Sequence, residues 1–223
     1  MRAQTLKERV LQHFWVEDNG GAYFALGTDR NKNGNLRPLR IRTSNMGHVL
    51  NSRLLMDNDE GTISRREALV RTLFSPRMLA ASGIRTLARG EVRFRPGAYH
   101  NGSVWLWDTY FISQGLERHG YYGLAWDLNA RICAVVDRSR KYPEFTRGGE
   151  ESEPELNAHI IDVWNGTYRR RNRIEQPPQE IQAWTVAAMA SIETKRSRSD
   201  KLRAEGARER RLEEEIQALI GSS

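Results

Sequence analysis

Leu124, Leu128, Ile132, Val135 and Val136 are spaced so that all five fall on one face of a helix, which predicts a helix over 122–137. The same period recurs along the chain. Leu6, Val10, Leu11 and Phe14 predict a helix over about 4–15, and Met46, Val49, Leu50, Leu54 and Leu55 predict one that begins close to Ser44 or Asn45. SRREALVRTLFSPRMLA reads as a capped helix followed by a second short one: Ser64 and Glu67 have capping-box spacing, and Pro76 separates the pieces. Thr109 to Arg118 and IQAWTVAAMASIE are further helical segments. YFAL and LRPLRI flank the turn-rich DRNKNG, where a small hairpin is expected, with Pro38 keeping its second piece near an edge. The strand–helix alternation of a parallel sheet is missing, so the expected scaffold is all-α, with polar loops between paired helices.

A chain of 223 residues with 39% hydrophobic content can bury one large core or two small ones. Its net charge of +7 is compatible with a polyanionic partner, but the excess is not gathered on one stretch of residues 1–130, so nucleic acid is not the expected partner. RRRNR at 169–173 reads as a solvated loop that the nearby acidic GGEESEPE run neutralises. The one cysteine, Cys133, lies in an apolar-periodic helix and reads as a buried structural thiol, which fits a reducing compartment. No apolar run reaches the length of a membrane span, and the start lacks an uninterrupted apolar stretch of the signal-peptide kind, so a cytoplasmic location is expected. The five histidines are dispersed, and no GxGxxG, P-loop, HExxH, GxSxG or CxxC motif occurs. Neither a metal nor a cofactor is called for.

The chemistry gathers at the loops that enter the helices. TSNMGH carries Asn45 and His48, and SGIRTL carries Arg85. YHNGSVWLWD carries His100, Asn101, Trp105, Trp107 and Asp108. KYPEFTRG carries Glu144, and PPQEIQAW carries Gln182 and Trp184. Sharing one end of the scaffold, these loops would line a pocket with carboxylates, amides and aromatic faces. Sugars need both kinds of lining, since their C–H faces pack on rings and their hydroxyls need directional partners. Hydrolysing a glycosidic bond needs two carboxyl groups, for which Asp108 and Glu144 are the candidates by composition. Each residue also has a plainer reading. Trp105 and Trp107 would serve a core, His48 and His100 would hold loop carbonyls, Asp108 and Asn45 would cap their helices, and Arg85 would bridge loops.

TSNMGHVL, SGIRTLARG, YHNGSVWLWDTYFISQGLERHG, YPEFTRG and QAW, in that order, resemble the C-terminal part of the amylo-α-1,6-glucosidase domain of glycogen-debranching enzymes and their bacterial relatives. The resemblance covers about residues 14–192 and implies a six-hairpin glycosidase, so the chain would form the C-terminal half of an (α/α)6 toroid over 1–193. It implies inverting hydrolysis of α-1,6-glucosidic bonds in an oligo- or polysaccharide. Glu144 then matches the general base, Asp108 a position beside the sugar, and the general acid belongs to the earlier half of the barrel. Leu106 replaces the family's proline, Thr146 departs two positions after the base, and a long polar insertion occupies about 146–178. The last stretch, 194–223, resembles no family element and reads as a charged helical tail. A half toroid of this kind is expected to be inactive alone and to pair with a separate N-terminal barrel half or with a second copy. Two other readings stand beside it: a non-catalytic carbohydrate-binding or interaction protein derived from the same fold, and a basic helical nucleic-acid-binding protein.

Overall fold

A computed structural model describes residues 2–149, 159–164, 171–176, 178–202, 214–216 and 218. Helix α1 (Arg2–Phe14) leads into two β-hairpins: β1 (Trp15–Asp18) pairs with β2 (Gly21–Phe24), and β3 (Thr28–Arg30) with β4 (Leu36–Pro38). The hairpin expected around DRNKNG therefore forms, but YFAL belongs to the preceding one, where Phe24 faces Trp15 across the ladder. Asn31 orders the longer second turn, because its side-chain oxygen accepts from the backbone nitrogens of Asn33 and Asn35.

The helix expected from Ser44 onward is broken. Helix α2 (Asn45–His48) gives way to 3-10 turns at Val49–Asn51 and Arg53–Leu55. Ser52 sits extended between the turns, and its hydroxyl accepts from Leu54 N at 3.1 Å, so a short polar side chain outcompetes the helical ladder. Helix α3 (Glu60–Leu73) starts before the capping box, since Asp59 is the N-cap and accepts from Thr62 N at 2.9 Å. No second short helix follows Pro76. A turn on Ser75, whose carbonyl accepts from Met78 N and Leu79 N, leads instead into β5 (Leu79–Ala80), which pairs with β6 (Gly83–Ile84).

Strand β7 (Val104–Trp105) feeds α4 (Leu106–Arg118), which a short turn joins to α5 (Tyr122–Ser139). Beyond β8 (Phe145–Thr146), the antiparallel β9 (His159–Trp164) and β10 (Arg171–Gln176) occupy part of the expected polar insertion. Residues 150–158, 165–170 and 177 of that insertion, and with them the start of RRRNR, lie outside the described residues. The last long helix, α6 (Ala183–Leu202), crosses the expected boundary at 193/194 without a break. Of the tail beyond it, Ile216 is buried in the main core and Glu215 pairs with Arg71 of α3 at 3.0 Å. This part of the charged tail thus packs on the main core. Residues 203–213, 217 and 219–223 lie outside the described residues.

The fold is all-α in its layers, a partial (α/α)6 toroid with no closed barrel among the described residues; its short two-stranded ladders join loops. The main core gathers Leu69, Val70 and Leu73 of α3, Ile112 and Leu116 of α4, and Leu124 and Leu128 of α5, over Tyr23 and Phe24 of β2. A second cluster joins Leu106, Ile132, Val135 and Val136 to Met189 and Ile192, seating α6 against α4 and α5, with Cys133 partly buried beside it. The periodic face read from sequence on α5 thus divides between the two clusters.

His119, at the end of α4, ties the halves of the main core together. One ring nitrogen, Nε2, meets the Leu50 carbonyl at 3.0 Å, and Nδ1 meets the Arg66 guanidinium at 3.4 Å. Arginine has only donors, so Nδ1 must be the acceptor and Nε2–H the donor. Burial, and secondarily the Arg66 charge, push the imidazole down to about 4, against the smaller opposing pull of the Leu50 carbonyl. A histidine held neutral in this way stabilises the fold fully above the unfolded value of 6.5, and that stability is lost as pH falls from 6.5 toward 4. With solvent screening of a half-buried ring, the loss is expected to be about 2 kcal/mol. Urea midpoints at pH 7 and pH 4.5 check this. The wild-type chain should lose more between the two than His119→Gln, whose side chain cannot acquire a charge.

Candidate active site

Four short backbone pairings stitch the five loop segments together. Thr43 bridges Leu87, which lays TSNMGH beside SGIRTL, and Arg85 bridges Val104, which lays SGIRTL beside YHNGSVW. The β7–β8 ladder pairs Val104 with Thr146 and Trp105 with Phe145, setting PEFTRG alongside. Tyr142 bridges Ile181, and Glu144 N donates to the Gln179 carbonyl at 3.0 Å, adding PPQEIQAW. Segments up to about 140 residues apart in sequence thus form one continuous wall.

The glycine of YHNGS is required by this stitching. Gly102 has φ +143°, where a Cβ would lie 2.5 Å from the Arg95 carbonyl oxygen, and its nitrogen donates to the Thr86 hydroxyl at 3.0 Å. Ser103 Oγ donates to the Tyr99 carbonyl at 2.5 Å, and the Trp105 indole N–H donates to the same carbonyl at 2.9 Å. The Trp105 ring stacks on His100, with centroids 5.6 Å apart and planes 13° apart. The aromatic corner is therefore locked by its own backbone turn.

A cavity of about 840 Å³ opens in front of this wall. Asn45, His48, His100, Asn101, Trp105, Trp107 and Asp108 all line it, as the sequence led one to expect. Helix α4 begins at Leu106, so Asp108 does not cap it; the N-cap is Trp105, with no side-chain cap. Asp108 lies instead in the first turn, where the helix dipole favours a carboxylate, and its Oδ1 is hydrogen-bonded to His48 Nε2. The bond to a carboxylate makes Nε2 the donor and leaves Nδ1 of a neutral imidazole as an acceptor. Asn45 is exposed as the first residue of α2; the N-cap there is Ser44.

Three polar atoms on cavity-lining residues are buried without a hydrogen-bond partner among the described residues: Asp108 Oδ2, Trp107 Nε1 and Thr43 Oγ1. Such atoms are costly in a folded interior unless a ligand or water satisfies them. One is an acceptor, one a donor and one both, the mixture that sugar hydroxyls engage. The rings beside them supply the apolar half of the match. Trp107 meets Trp184 edge-on at 4.6 Å, and His48 packs edge-on against Phe111 at 5.0 Å.

Four expected site residues do not line the cavity. The buried Arg85 spends its guanidinium on the carbonyls of Gly148 (2.6 Å), Gly149 (2.6 Å), Pro76 (3.0 Å) and Leu79, so here it is a clip between loops. Gln182 caps α6, its Oε1 accepting from Trp184 N at 2.8 Å and Thr185 N at 3.2 Å. Trp184 is exposed on the first turn of α6 and reaches the site through Trp107. Glu144, 9% exposed, belongs to the wall but is turned onto Tyr99, whose hydroxyl donates to its Oε1 at 2.6 Å. Burial, and then the Glu144 carboxylate, push the Tyr99 phenol up to about 12, so it remains a donor at any ordinary pH. Tyr99 and Thr43, which also belong to the wall, stand at the edges of the YHNGSVW and TSNMGH motifs. Their signal was only that adjacency.

Among the described residues, no group of three or more His, Cys, Asp or Glu side chains could hold a metal ion, and no helix is long and apolar enough to cross a membrane.

Comparison with known proteins places this wall in a family. The sequence profile of the mannosylglycerate hydrolase MGH1-like glycoside hydrolase domain matches residues 1–155. Among solved structures, the chain is similar to the GH63 mannosylglycerate hydrolase from Thermus thermophilus in complex with Tris, with 20% identity and a TM-score of 0.44. That match covers 66% of this chain and 32% of the other, so the chain spans about a third of that protein's length. No curated protein matches. The resemblance read from sequence holds at the level of a six-hairpin-type glycoside hydrolase domain, while the family matched is not specifically that of the amylo-α-1,6-glucosidases. The chain belongs to the mannosylglycerate hydrolase MGH1-like glycoside hydrolase domain family.

Proposed function

We propose that this chain supplies the sugar-holding, base-bearing part of an inverting glycoside hydrolase site, with Glu144 as the general base and Asp108, His48 and Trp107 holding the sugar. The observation that carries this reading is the trio of unpartnered buried polar atoms set among aromatic rings around one cavity. The chemistry needs a second carboxyl group. A base can activate water, but the leaving oxygen departs as an alkoxide unless an acid protonates it, and inversion places acid and base about 6.5–9.5 Å apart. Asp108 is committed to His48 within the sugar-holding wall. The other carboxylate that lines the cavity, Glu91, lies 3.6 Å from the Arg42 guanidinium. The family resemblance puts the acid on the earlier half of the barrel, so on this reading it is supplied by a separate barrel half or a second copy, and the chain alone is expected to hydrolyse nothing.

Two substrate classes follow from the two lines of support. The sequence resemblance favours an α-1,6-linked glucose stub on a branched glucan, and the family favours a small glycoside of the mannosylglycerate kind. The test is sugar release from branched dextrin and from mannosylglycerate, by the pure chain and by the chain with a supplied N-terminal half of a related barrel. Release only in the second case, and from one substrate, supports the proposal and fixes its class. Turnover by the pure chain would overturn the missing-acid part. One observation favours a second reading: neither Glu144 nor Tyr99, its hydrogen-bond partner, lines the cavity. A binding protein with a retired base would look the same, and would retain sugar in the cavity while never gaining activity.

A further inference from the structure

The Tyr99–Glu144 contact joins the candidate base to the cavity wall through a residue that no motif reading assigned a role. Tyr99 donates to Oε1 at 2.6 Å, whereas the other carboxylate oxygen meets the Gln179 backbone nitrogen at the longer distance of 3.5 Å. The phenol ring is fixed on three sides, edge-on to His100 at 4.5 Å, to Trp105 at 4.7 Å and to Phe145 at 5.4 Å. Its backbone is fixed as well, since the Trp105 indole and the Ser103 hydroxyl both donate to the Tyr99 carbonyl. Trp105 and His100 line the cavity, so the rings that would meet a sugar are the rings that hold Tyr99 in place.

We propose that Tyr99 is the positioning residue of the base: its hydroxyl fixes the orientation of the Glu144 carboxylate and supplies that carboxylate with a short side-chain donor. The proposal rests on the reading of Glu144 as the base. With one carboxylate oxygen held by this short donor, the other, which only the long 3.5 Å contact from Gln179 N engages, is the oxygen left to accept from a water. Phenol is suited to the task because it remains protonated across the working pH range, and here its own ionisation is displaced further upward, to about 12. Sugar pressed on Trp105 and His100 would press the same cage that sets the Glu144 rotamer, coupling occupancy of the cavity to alignment of the base. Other titratable groups on the flanking segments include His100 itself, Arg95 on the Tyr99 turn, Tyr142 and Arg147 on the Glu144 segment, and Glu180, which Lys141 engages.

The experiment is the carboxyl titration of Glu144, followed by carbon-13 NMR in the full chain, for wild type, Tyr99→Phe and Tyr99 replaced by 3,5-difluorotyrosine. Removing the hydroxyl while keeping the ring takes a donor from the carboxylate and should raise the Glu144 midpoint relative to wild type. The more acidic fluorinated phenol donates more strongly and should move the midpoint the opposite way without changing the shape of the site. A merely structural tyrosine would produce neither shift. Glu144 midpoints that agree within 0.2 unit across the three proteins, on the order of the precision needed to detect a lost donor, would overturn the proposal. If Tyr99→Phe fails to fold, the fluorinated chain alone decides, since only its direction of shift is in question. Loss or survival of hydrolysis in Glu144→Gln tests the base assignment separately, so failure of one reading does not pass for failure of the other.

Discussion

Glu144→Gln is expected to lower glycoside hydrolysis by about 10²–10⁴-fold in a complete site that contains this chain, with little change in sugar affinity. The amide is nearly isosteric and still accepts from the Tyr99 hydroxyl, so the cage of Tyr99, Trp105 and Phe145 should survive. It cannot take a proton from water. The loss should therefore fall on kcat, because the base acts only as the transition state forms. Single-turnover sugar release by the reconstituted enzyme measures it. A variant with unchanged kcat would remove Glu144 from the mechanism and leave the cavity as a binding site.

Gly148→Ala is expected to be the most damaging conservative change near the site. A Cβ at Gly148 would sit on the carbonyl oxygen of Gly102, far inside van der Waals contact, with its neighbour also backbone. Neither partner is the flexible end of a side chain, so the β7–β8 region must open. The change also pulls at the carbonyl that accepts from Arg85 Nε at 2.6 Å. Overpacking of this kind costs about 3 kcal/mol, which for a chain of this size lowers Tm by roughly 6–12 °C. Differential scanning calorimetry reads the shift. Gly34→Ala makes a control for substitution at a glycine: no atom lies within 4 Å of its added Cβ, although its φ of +78° carries a modest backbone penalty.

The helices were legible because their apolar faces repeat with helical period, and α5 shows this most plainly: Leu128 and Ile132 are both fully buried where the pattern put them. The failures came where a single polar side chain decides. Ser52 breaks the helix after α2, and Asp59 rather than Ser64 starts α3, since a local hydrogen bond outweighs the spacing of apolar residues over one turn. Part of the expected site set gathers at one cavity, while Arg85, Glu144, Gln182 and Trp184 do not line it. Asn45, His48, His100, Trp105, Trp107 and Asp108 do share a cavity, because motifs far apart in sequence meet through two-residue ladders. Pairings that short leave no periodic trace. Arg85 and Gln182 look like ligand contacts in sequence, since buried arginines and amides near aromatic residues serve either role. Their partners in the fold are loop carbonyls for one and helix nitrogens for the other, contacts that the sequence does not display. Tyr99 shows the converse: its importance lies in one contact with a residue 45 positions away.

The cavity itself offers the most direct test of a sugar-holding wall. Isothermal titration of the pure chain with glucose, mannose, mannosylglycerate and a branched dextrin measures whether the wall holds sugar, independently of any missing acid. Saturable binding of at least one of them is expected. Asp108→Ala, which removes a charged partner of the sugar hydroxyls, should lose about 10- to 100-fold in affinity, and Trp107→Ala should lose a comparable amount, with both variants still folded. Absence of binding by the wild-type chain, or binding that neither substitution weakens, would contradict the assignment of this cavity to sugar.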